Sequence, residues 1–293
     1  MNRQIKGLSV PGIAAVALVL GAPTASAGGH FVEFDEFEPI IEINATDGDI
    51  GFHVLLDGEA WNRAVLFDGD GDRMLRAVAI HDEDLDEQGV TEFFIESAEP
   101  PCWLDLSDPE ADEDEVVMLD EFLDRFEEGT YKARGRTLEG ERMRAYGEFT
   151  HNIPAAPETE VEVEWDGDEV EVEIEFESGE DLGQCEINVD LETHPADVEV
   201  VRWEVVVEPD EDQLDAINEA REAMGEDEVA DGTFAAQLPA DSDEIEISEE
   251  WLEAYVEAGV TTFKYEVGAK EESGNQTFTE DEFDIYEDAE EDD

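Results

Sequence analysis

The turns of this sequence carry side-chain oxygens of the kind that hard cations prefer. Asn44, Asp47 and Asp49 fall in one glycine-containing segment, and Glu96 or Glu99 could complete their shell. Oxygen donors in such a turn suit Ca²⁺, which takes several carboxylate and carbonyl ligands. The alternative is a capped turn, in which Asn and Asp side chains accept hydrogen bonds from their own backbone.

A second acidic turn, Asp68-Gly-Asp70-Gly-Asp72, could also aim several carboxylates at one cation. It is not an EF-hand loop, because Arg73 stands where glycine belongs and Ala79 where a bidentate glutamate belongs. The alternative is an acidic hairpin turn in a chain with 86 Asp and Glu residues. Calcium is therefore the one cofactor that the sequence suggests.

Basic residues are concentrated in one short stretch. Lys132, Arg134 and Arg136 alternate, so a strand would place them on one face, and Arg142 and Arg144 could face them across a turn. Such a strip could bind a carboxylated polysaccharide, the acidic tail of a partner protein or this protein's own glutamate-rich face. Pairing with the protein's own carboxylates is the alternative, and the large excess of acid favours it.

Recognisable catalytic motifs are missing from the sequence. The five histidines have no HExxH-type spacing, and there is no GxSxG, no Walker loop and no GxGxxG in a βαβ unit. His53 and His151 are expected to be structural. Paired carboxylates occur throughout, so they do not single out an acid–base pair. We expect a protein that is not an enzyme.

The beginning of the chain has the layout of a secretory signal peptide. Arg3 and Lys6 precede an apolar run at 13–20, and Ala25-Ser-Ala27 is a small-residue cleavage site. The run is shorter than the roughly 20 apolar residues of a membrane-spanning helix. We expect cleavage after Ala27 and a secreted or periplasmic chain with no membrane insertion.

The two cysteines, Cys102 and Cys185, support that compartment. An even count permits one disulfide in an oxidising environment. The alternative is two separate buried thiols, and the lack of metal-ligand cysteine spacing favours the disulfide.

Composition indicates a folded and very acidic protein. The formal net charge is −71, yet 41% of the residues are hydrophobic and five are Trp. High net charge alone would suggest disorder, but this apolar content supports a core. A folded chain rich in Asp and Glu and poor in Lys is typical of a halophile, in which salt screens the repulsion. The charge argues against nucleic acid and anionic membranes as partners.

Short strands dominate the pattern, which predicts an all-β fold with two β-sandwich-like domains and short helical insertions. Segments 161–165 and 170–176 alternate apolar residues with glutamates, so one face of each strand is buried. Earlier strands are expected to end at Asp-Gly turns, including Asp57-Gly58. Helical spacing occurs at 116–126 and 212–224.

A proline-rich segment at 152–157 divides the chain. We expect the signal peptide at 1–27, an N-terminal β domain at 28–155 and a second β-sandwich with an acidic tail at 156–293.

The second domain resembles a fibronectin type III domain. The resemblance is carried by Val201-Arg-Trp203, Leu238-Pro239, Tyr265-Glu-Val-Gly-Ala269 and Ser273-Gly-Asn. It implies a β-sandwich. The helical segment at 212–224 departs from the family pattern.

The first domain is similar to a domain of uncharacterised bacterial exported proteins. This similarity is carried by Ile43-Asn-Ala-Thr-Asp-Gly-Asp-Ile-Gly51, Gly89-Val-Thr-Glu92 and Glu96-Ser-Ala-Glu-Pro100, and it implies no activity. The sequence therefore favours an exported, non-catalytic binding or structural module that recognises a protein or a surface polymer. A calcium-dependent or carbohydrate-binding accessory protein is the alternative, and an unrecognised hydrolase comes third.

Overall fold

Strands form most of this structure, which confirms the mainly β, sandwich-like fold expected from the sequence. The computed structural model describes residues 31–80, 83–103, 116–167, 169–185 and 187–286. The signal peptide expected at 1–27, its cleavage site after Ala27 and the acidic tail lie outside these residues. Among the described residues, no helix is long and apolar enough to cross a membrane.

The strands of the described residues are β1 (Phe31–Glu33), β2 (Glu36–Asn44), β3 (Asp49–Phe67), β4 (Arg73–Val78), β5 (Val90–Glu96), β6 (Gly129–Thr137), β7 (Arg142–Phe149), β8 (Pro157–Asp166), β9 (Glu169–Ser178), β10 (Arg202–Pro209), β11 (Phe234–Pro239), β12 (Glu244–Glu246), β13 (Thr262–Lys270) and β14 (Gln276–Asp284). The α-helices are α1 (Asp84–Gln88), α2 (Leu119–Arg125), α3 (Glu211–Met224) and α4 (Glu249–Val256).

The strands form one large sheet and one small sheet. The large sheet has the order β1-β7-β6-β3-β2-β14-β13-β10-β11, and both β4 and β5 also pair with β3. The small sheet has the order β12-β9-β8. Parallel pairing joins β14 to β2, with Gln276 opposite Glu42 and Phe278 opposite Asn44. The large sheet therefore contains strands from both of the expected domains.

Two hydrophobic cores lie mostly on either side of the expected boundary at 155/156, although the first also includes Leu182 and Cys185 from beyond it. The first core is packed around Phe52, Trp61 and Tyr131, and the second around Trp203 and Phe263. In the second core, the buried alternate residues of β9 and the partly buried ones of β8 pack with buried residues of β10 and β13, as in a sandwich of two sheets. The two-domain division stays a prediction, because the first core and the large sheet both include residues from beyond the boundary.

The turn predicted at Asp57-Gly58 is wrong, because β3 runs through it without a break. The first part of β3 pairs with β2 and β5, and the last part pairs with β4 and β6. Gly58 instead allows close packing, since a Cβ atom there would lie 3.1 Å from Cδ1 of Phe34. This glycine marks a close approach within a strand.

The two expected helices are present as α2 and α3, although α2 is shorter than the apolar pattern at 116–126. Helix α3 begins where the Asp210 side chain accepts a hydrogen bond from the backbone N–H of Gln213, which is the usual N-cap contact. It ends at Gly225, whose left-handed backbone (φ 74°) suits glycine. Helices α1 and α4 were not expected from the sequence.

Candidate functional site

Basic residues from neighbouring strands lie on one face of the large sheet. The ladder of β6 and β7 places Arg134 opposite Arg144 and Arg136 opposite Arg142. The ladder of β3 and β6 places Arg63 opposite Arg136. We call this surface the arginine face and define it by its basic residues. They are Arg63, Arg73, Arg76, Lys132, Arg134, Arg136, Arg142 and Arg144.

The alternation of β6 and β7 explains why the arginines share a face. Tyr131 and Ala133 of β6 and Met143 and Phe149 of β7 are buried in the first core. Residues between them must therefore point away from the core. Burial of these residues fixes the orientation of both strands, and this orientation places the arginine side chains on the opposite face.

The arginines of the arginine face line a groove of about 490 Å³. Seven of the chain's eleven arginines line it, together with aromatic rings. The Arg144 guanidinium lies 4.8 Å from the ring centre of Phe31, and that of Arg134 lies 5.2 Å from the ring centre of Phe67. Such cation–π contacts contribute about 0.5–1 kcal/mol at exposed sites. They orient the cations without neutralising them.

Few ion pairs form at the arginine face within the described residues. In the part of the chain that the structure describes, Arg144 is its one member within 4.0 Å of a carboxylate, with Nη2 3.4 Å from Oε1 of Glu33. Arg136 donates a hydrogen bond of 2.9 Å to the carbonyl of Gly140. Pairing with the protein's own carboxylates stays a prediction for the other members of the face. Like charges directly opposite one another destabilise a sheet, so the face is suited to an anionic ligand.

The sequence identified five members of the arginine face and missed Arg63, Arg73 and Arg76. These three lie on β3 and β4, far from β6 in the sequence. Only the strand order brings them together, and no local pattern indicates that order.

The first predicted calcium turn is capped by its asparagine. Oδ1 of Asn44 accepts hydrogen bonds from the backbone N–H groups of Thr46 (3.0 Å) and Asp47 (3.1 Å). Its Nδ2 donates to Glu280 at 2.6 Å. Burial, followed by the negative charges of Glu99, Asp47 and Glu280, raises the pKa of Asp49 to about 6. The asparagine oxygen is thus already used by the backbone, and calcium binding here stays a prediction.

The second predicted calcium turn follows the other end of β3. Oδ1 of Asp68 accepts a hydrogen bond of 2.7 Å from the backbone N–H of Asp72. Gly71 takes a left-handed conformation (φ 87°) that favours glycine. Asp70 and Asp72 are exposed. Their calcium role also stays a prediction.

A second group of chemically interesting side chains surrounds His53, and we call Glu42, His53 and Glu99 the histidine–carboxylate cluster. Nε2 of His53 lies 2.8 Å from Oε1 of Glu99, and Nδ1 lies 3.4 Å from Oε2 of Glu42. The imidazole is only 4% exposed. Burial alone would lower the pKa of His53, but hydrogen bonding to and the charges of Glu42 and Glu99 raise it above its usual value.

The interaction with His53 also shifts the pKa of Glu42. Burial alone would raise its pKa, but His53, Gln276 and Lys270 hold it below the usual value. Sequence analysis named Glu99 as a possible ligand but did not select Glu42 or connect His53 with either carboxylate. The cluster depends on the pairing of β2 with β3, which brings these positions together.

Cys102 and Cys185 are joined by a disulfide across 83 positions, and both are buried. The Cys102 backbone N–H donates to the carbonyl of Gly48 at 2.7 Å, and that of Gln184 donates to the carbonyl of Ala45 at 2.9 Å. The disulfide therefore fastens two distant segments beside the turn that holds Asn44.

No protein-family model matches the chain, and no curated protein matches it. Similar solved structures include a 1.5-MDa bacterial ice-binding adhesin (9% identity, TM-score 0.24), covering 85% of this chain and 62% of that one. A Ca²⁺-stabilized adhesin of an ice-binding Antarctic bacterium has 12% identity and a TM-score of 0.27, covering 88% of this chain and 49% of that one. The receptor tyrosine kinase Torso has 8% identity and a TM-score of 0.24, covering 84% and 73%. This chain thus spans about half to two thirds of the two adhesin chains, and such low TM-scores identify neither a fold family nor a function.

Proposed function

We propose that this chain is an exported, non-catalytic binding module that holds a carboxylated polysaccharide in the groove of its arginine face. The observation that carries the proposal is the convergence of seven arginines on one groove in a chain with a net charge of −71. A random placement of so few basic residues would scatter them among the acids. Here they oppose one another in the β-ladders instead.

The chemistry of the groove fits an acidic sugar polymer. Guanidinium groups bind carboxylates through two parallel N–H···O contacts, which a lysine ammonium cannot do. Phe31, Phe67 and Tyr146 add flat apolar surface beside the cations. Nε of Arg144 is buried and has no hydrogen-bond partner among the described residues, so a ligand oxygen that reached it would satisfy a donor.

The remainder of the chain would then serve as a scaffold. Strands β8, β9 and β12 lie in one sheet of the second half, and β10, β11, β13 and β14 lie in the other. This arrangement supports the proposed fibronectin type III-like sandwich. The disulfide between Cys102 and Cys185 and the signal-peptide pattern support export.

Binding of a polyuronate to the purified chain tests the proposal. We expect calorimetry in KCl to detect binding that weakens as salt rises. The double variant Arg134→Gln/Arg142→Gln should lower the affinity at least about tenfold, since charge-assisted hydrogen bonds contribute about 1.5–3 kcal/mol each. The control Arg125→Gln/Arg202→Gln removes the same charge from outside the groove and should leave affinity unchanged.

The ligand series also separates the competing functions. Binding of polyglutamate but not of polyuronate would move the proposal to an acidic protein partner. Equal loss of affinity in both double variants would show that net charge, and not the groove, governs binding. Cleavage of the polymer would contradict the non-catalytic assignment.

A further inference from the structure

We propose that the histidine–carboxylate cluster binds one divalent transition-metal ion of the Zn²⁺ class. Glu42, His53 and Glu99 each offer one ligand atom, and these atoms all lie within 4.8 Å of one another. They come from β2, from β3 and from the segment after β5. This metal site is separate from the two acidic turns for which the sequence suggested calcium, and from the arginine face.

The donor set selects the class of metal. One imidazole nitrogen with two carboxylates is a set that Zn²⁺ accepts, with an open position for water. Ca²⁺ and Mg²⁺ take oxygen ligands and gain little from an imidazole. Among the described residues, the other compact acidic group is Glu173, Glu175 and Glu244. It contains no histidine, so it serves as an internal comparison.

The backbone leaves room at the cluster. Gly51 lies opposite Glu42 in the β2–β3 ladder and two residues before His53. A Cβ atom at position 51 would lie 2.7 Å from Nε2 of His53 and 2.8 Å from Oε1 of Glu99. Any side chain there would displace the two donors, so the glycine keeps this approach open.

Neighbouring contacts fix the orientation of the donors. The Gln276 side chain donates a hydrogen bond to Oε2 of Glu42. The Phe94 ring meets the His53 ring edge-on, with 5.5 Å between the centres. Such outer contacts hold metal ligands in position and strengthen binding.

The surrounding charge favours a cation. The negative charges of Glu99 and Glu280 act on Asp49 beside the cluster. Lys270 is the nearby ammonium group, and it acts on Glu42. A bound divalent ion would offset the repulsion among these carboxylates.

Metal binding to the chelator-treated full chain tests the proposal, with Zn²⁺ as the probe and Ca²⁺ in large excess. We expect calorimetry to give one Zn²⁺ per chain that Ca²⁺ does not displace, and melting to shift upward by several degrees at saturating Zn²⁺. Glu99→Gln should weaken Zn²⁺ binding at least about tenfold. Glu175→Gln, the matched change in the histidine-free group, should leave it unchanged.

Cobalt supplies a readout of the histidine itself. Co²⁺ bound to the chain should give visible ligand-field absorption that changes in His53→Gln, while circular dichroism checks that the variant folds. If His53→Gln does not fold, the Glu99→Gln variant still tests whether the cluster binds Zn²⁺, because Glu99 is partly exposed. Several weak Zn²⁺ sites displaced by Ca²⁺, or equal binding by the wild type and Glu99→Gln, would overturn the proposal and leave the cluster as a histidine paired with two carboxylates.

Discussion

Arg134 lies directly opposite Arg144 in the antiparallel ladder of β6 and β7. Arg136 lies opposite Arg142 in the same way, two residues along the strands. Each pair sets two like charges side by side, which destabilises the sheet. Carboxylates that could relieve this repulsion are abundant in the chain, with 86 Asp and Glu residues. Among the described residues, Arg144 is the one member of the face that pairs with a carboxylate, that of Glu33, and the proposed binding function would explain the repulsion that the others retain.

Replacing Arg142 with glutamine should therefore stabilise the protein. We expect a gain of about 0.2–1 kcal/mol in the free energy of unfolding, because the repulsion from Arg136 is relieved. The same change should weaken polyuronate binding. Chemical denaturation and calorimetry measure the two effects. Arg202→Gln removes a cation that hydrogen-bonds to Gln237 outside the groove and should not stabilise the chain. A destabilised Arg142→Gln would contradict the idea of unrelieved repulsion.

Part of the arginine face could be predicted from the sequence. The alternation of Lys132, Arg134 and Arg136 fixes one face of one strand, and a hairpin brings Arg142 and Arg144 opposite. Arg63 and Arg76 could not be placed, because β3 joins β6 across more than sixty intervening residues. Local periodicity determines which side of a strand a residue faces, whereas strand order is set by the packing of the whole core.

The histidine–carboxylate cluster could not be predicted for the same reason, since it too depends on strand order. His53 was expected to be structural because it lacks a motif partner within a few residues. Its two carboxylate neighbours lie 11 positions before it and 46 positions after it. The alternation of β8 and β9 was predictable because both faces of the small sheet follow a local pattern. The long strand β3 was not, since Asp57-Gly58 usually marks a turn.

The buried side chain of Asn275 connects separate segments of the chain through hydrogen bonds, and its removal should lower the stability of the fold. Its Oδ1 accepts from the backbone N–H of Ile41 at 2.8 Å, and its Nδ2 donates to the carbonyls of Thr150 and Asn152, both at 2.9 Å. Asn275→Ala would leave one buried and two partly buried groups without this partner, at about 1–3 kcal/mol for a buried group. We expect at least about 3 kcal/mol lower stability in chemical denaturation.

An exposed asparagine provides the control for that measurement. Asn188 makes two hydrogen bonds with Asp120 at the surface, so Asn188→Ala should change stability by no more than about 1 kcal/mol. Similar values for the two variants would contradict the assigned role of Asn275.

Loss of the disulfide should also destabilise the fold. Replacing both Cys102 and Cys185 with serine releases a loop of 83 positions, which corresponds to about 4.5 kcal/mol in the chain-entropy model. Thermal melting with and without reductant measures the effect. Reductant should lower the melting temperature of the wild type and leave that of the double variant unchanged. An unchanged wild type would show that the bond contributes little.

Glu266 should make stability fall as pH rises. Burial, followed by the negative charges of Glu280, Glu208, Glu42 and Glu204, raises its pKa from 4.5 to about 7. Because the folded state holds this proton more tightly than the unfolded state, stability decreases between about pH 4.5 and 7. Above that range the ionised carboxylate remains a destabilising charge.

Glu266→Gln should remove this dependence. After allowance for solvent and salt screening, we expect about 1 kcal/mol of added stability at pH 8, or 2–4 °C in melting temperature. The gain should disappear near pH 4.5, where the wild-type carboxyl group is protonated in the folded state. Glu253→Gln, an exposed change on α4, should give no gain that depends on pH in this way. Melting curves at constant ionic strength decide the matter, and equal gains at both pH values would mean that Glu266 does not titrate as inferred.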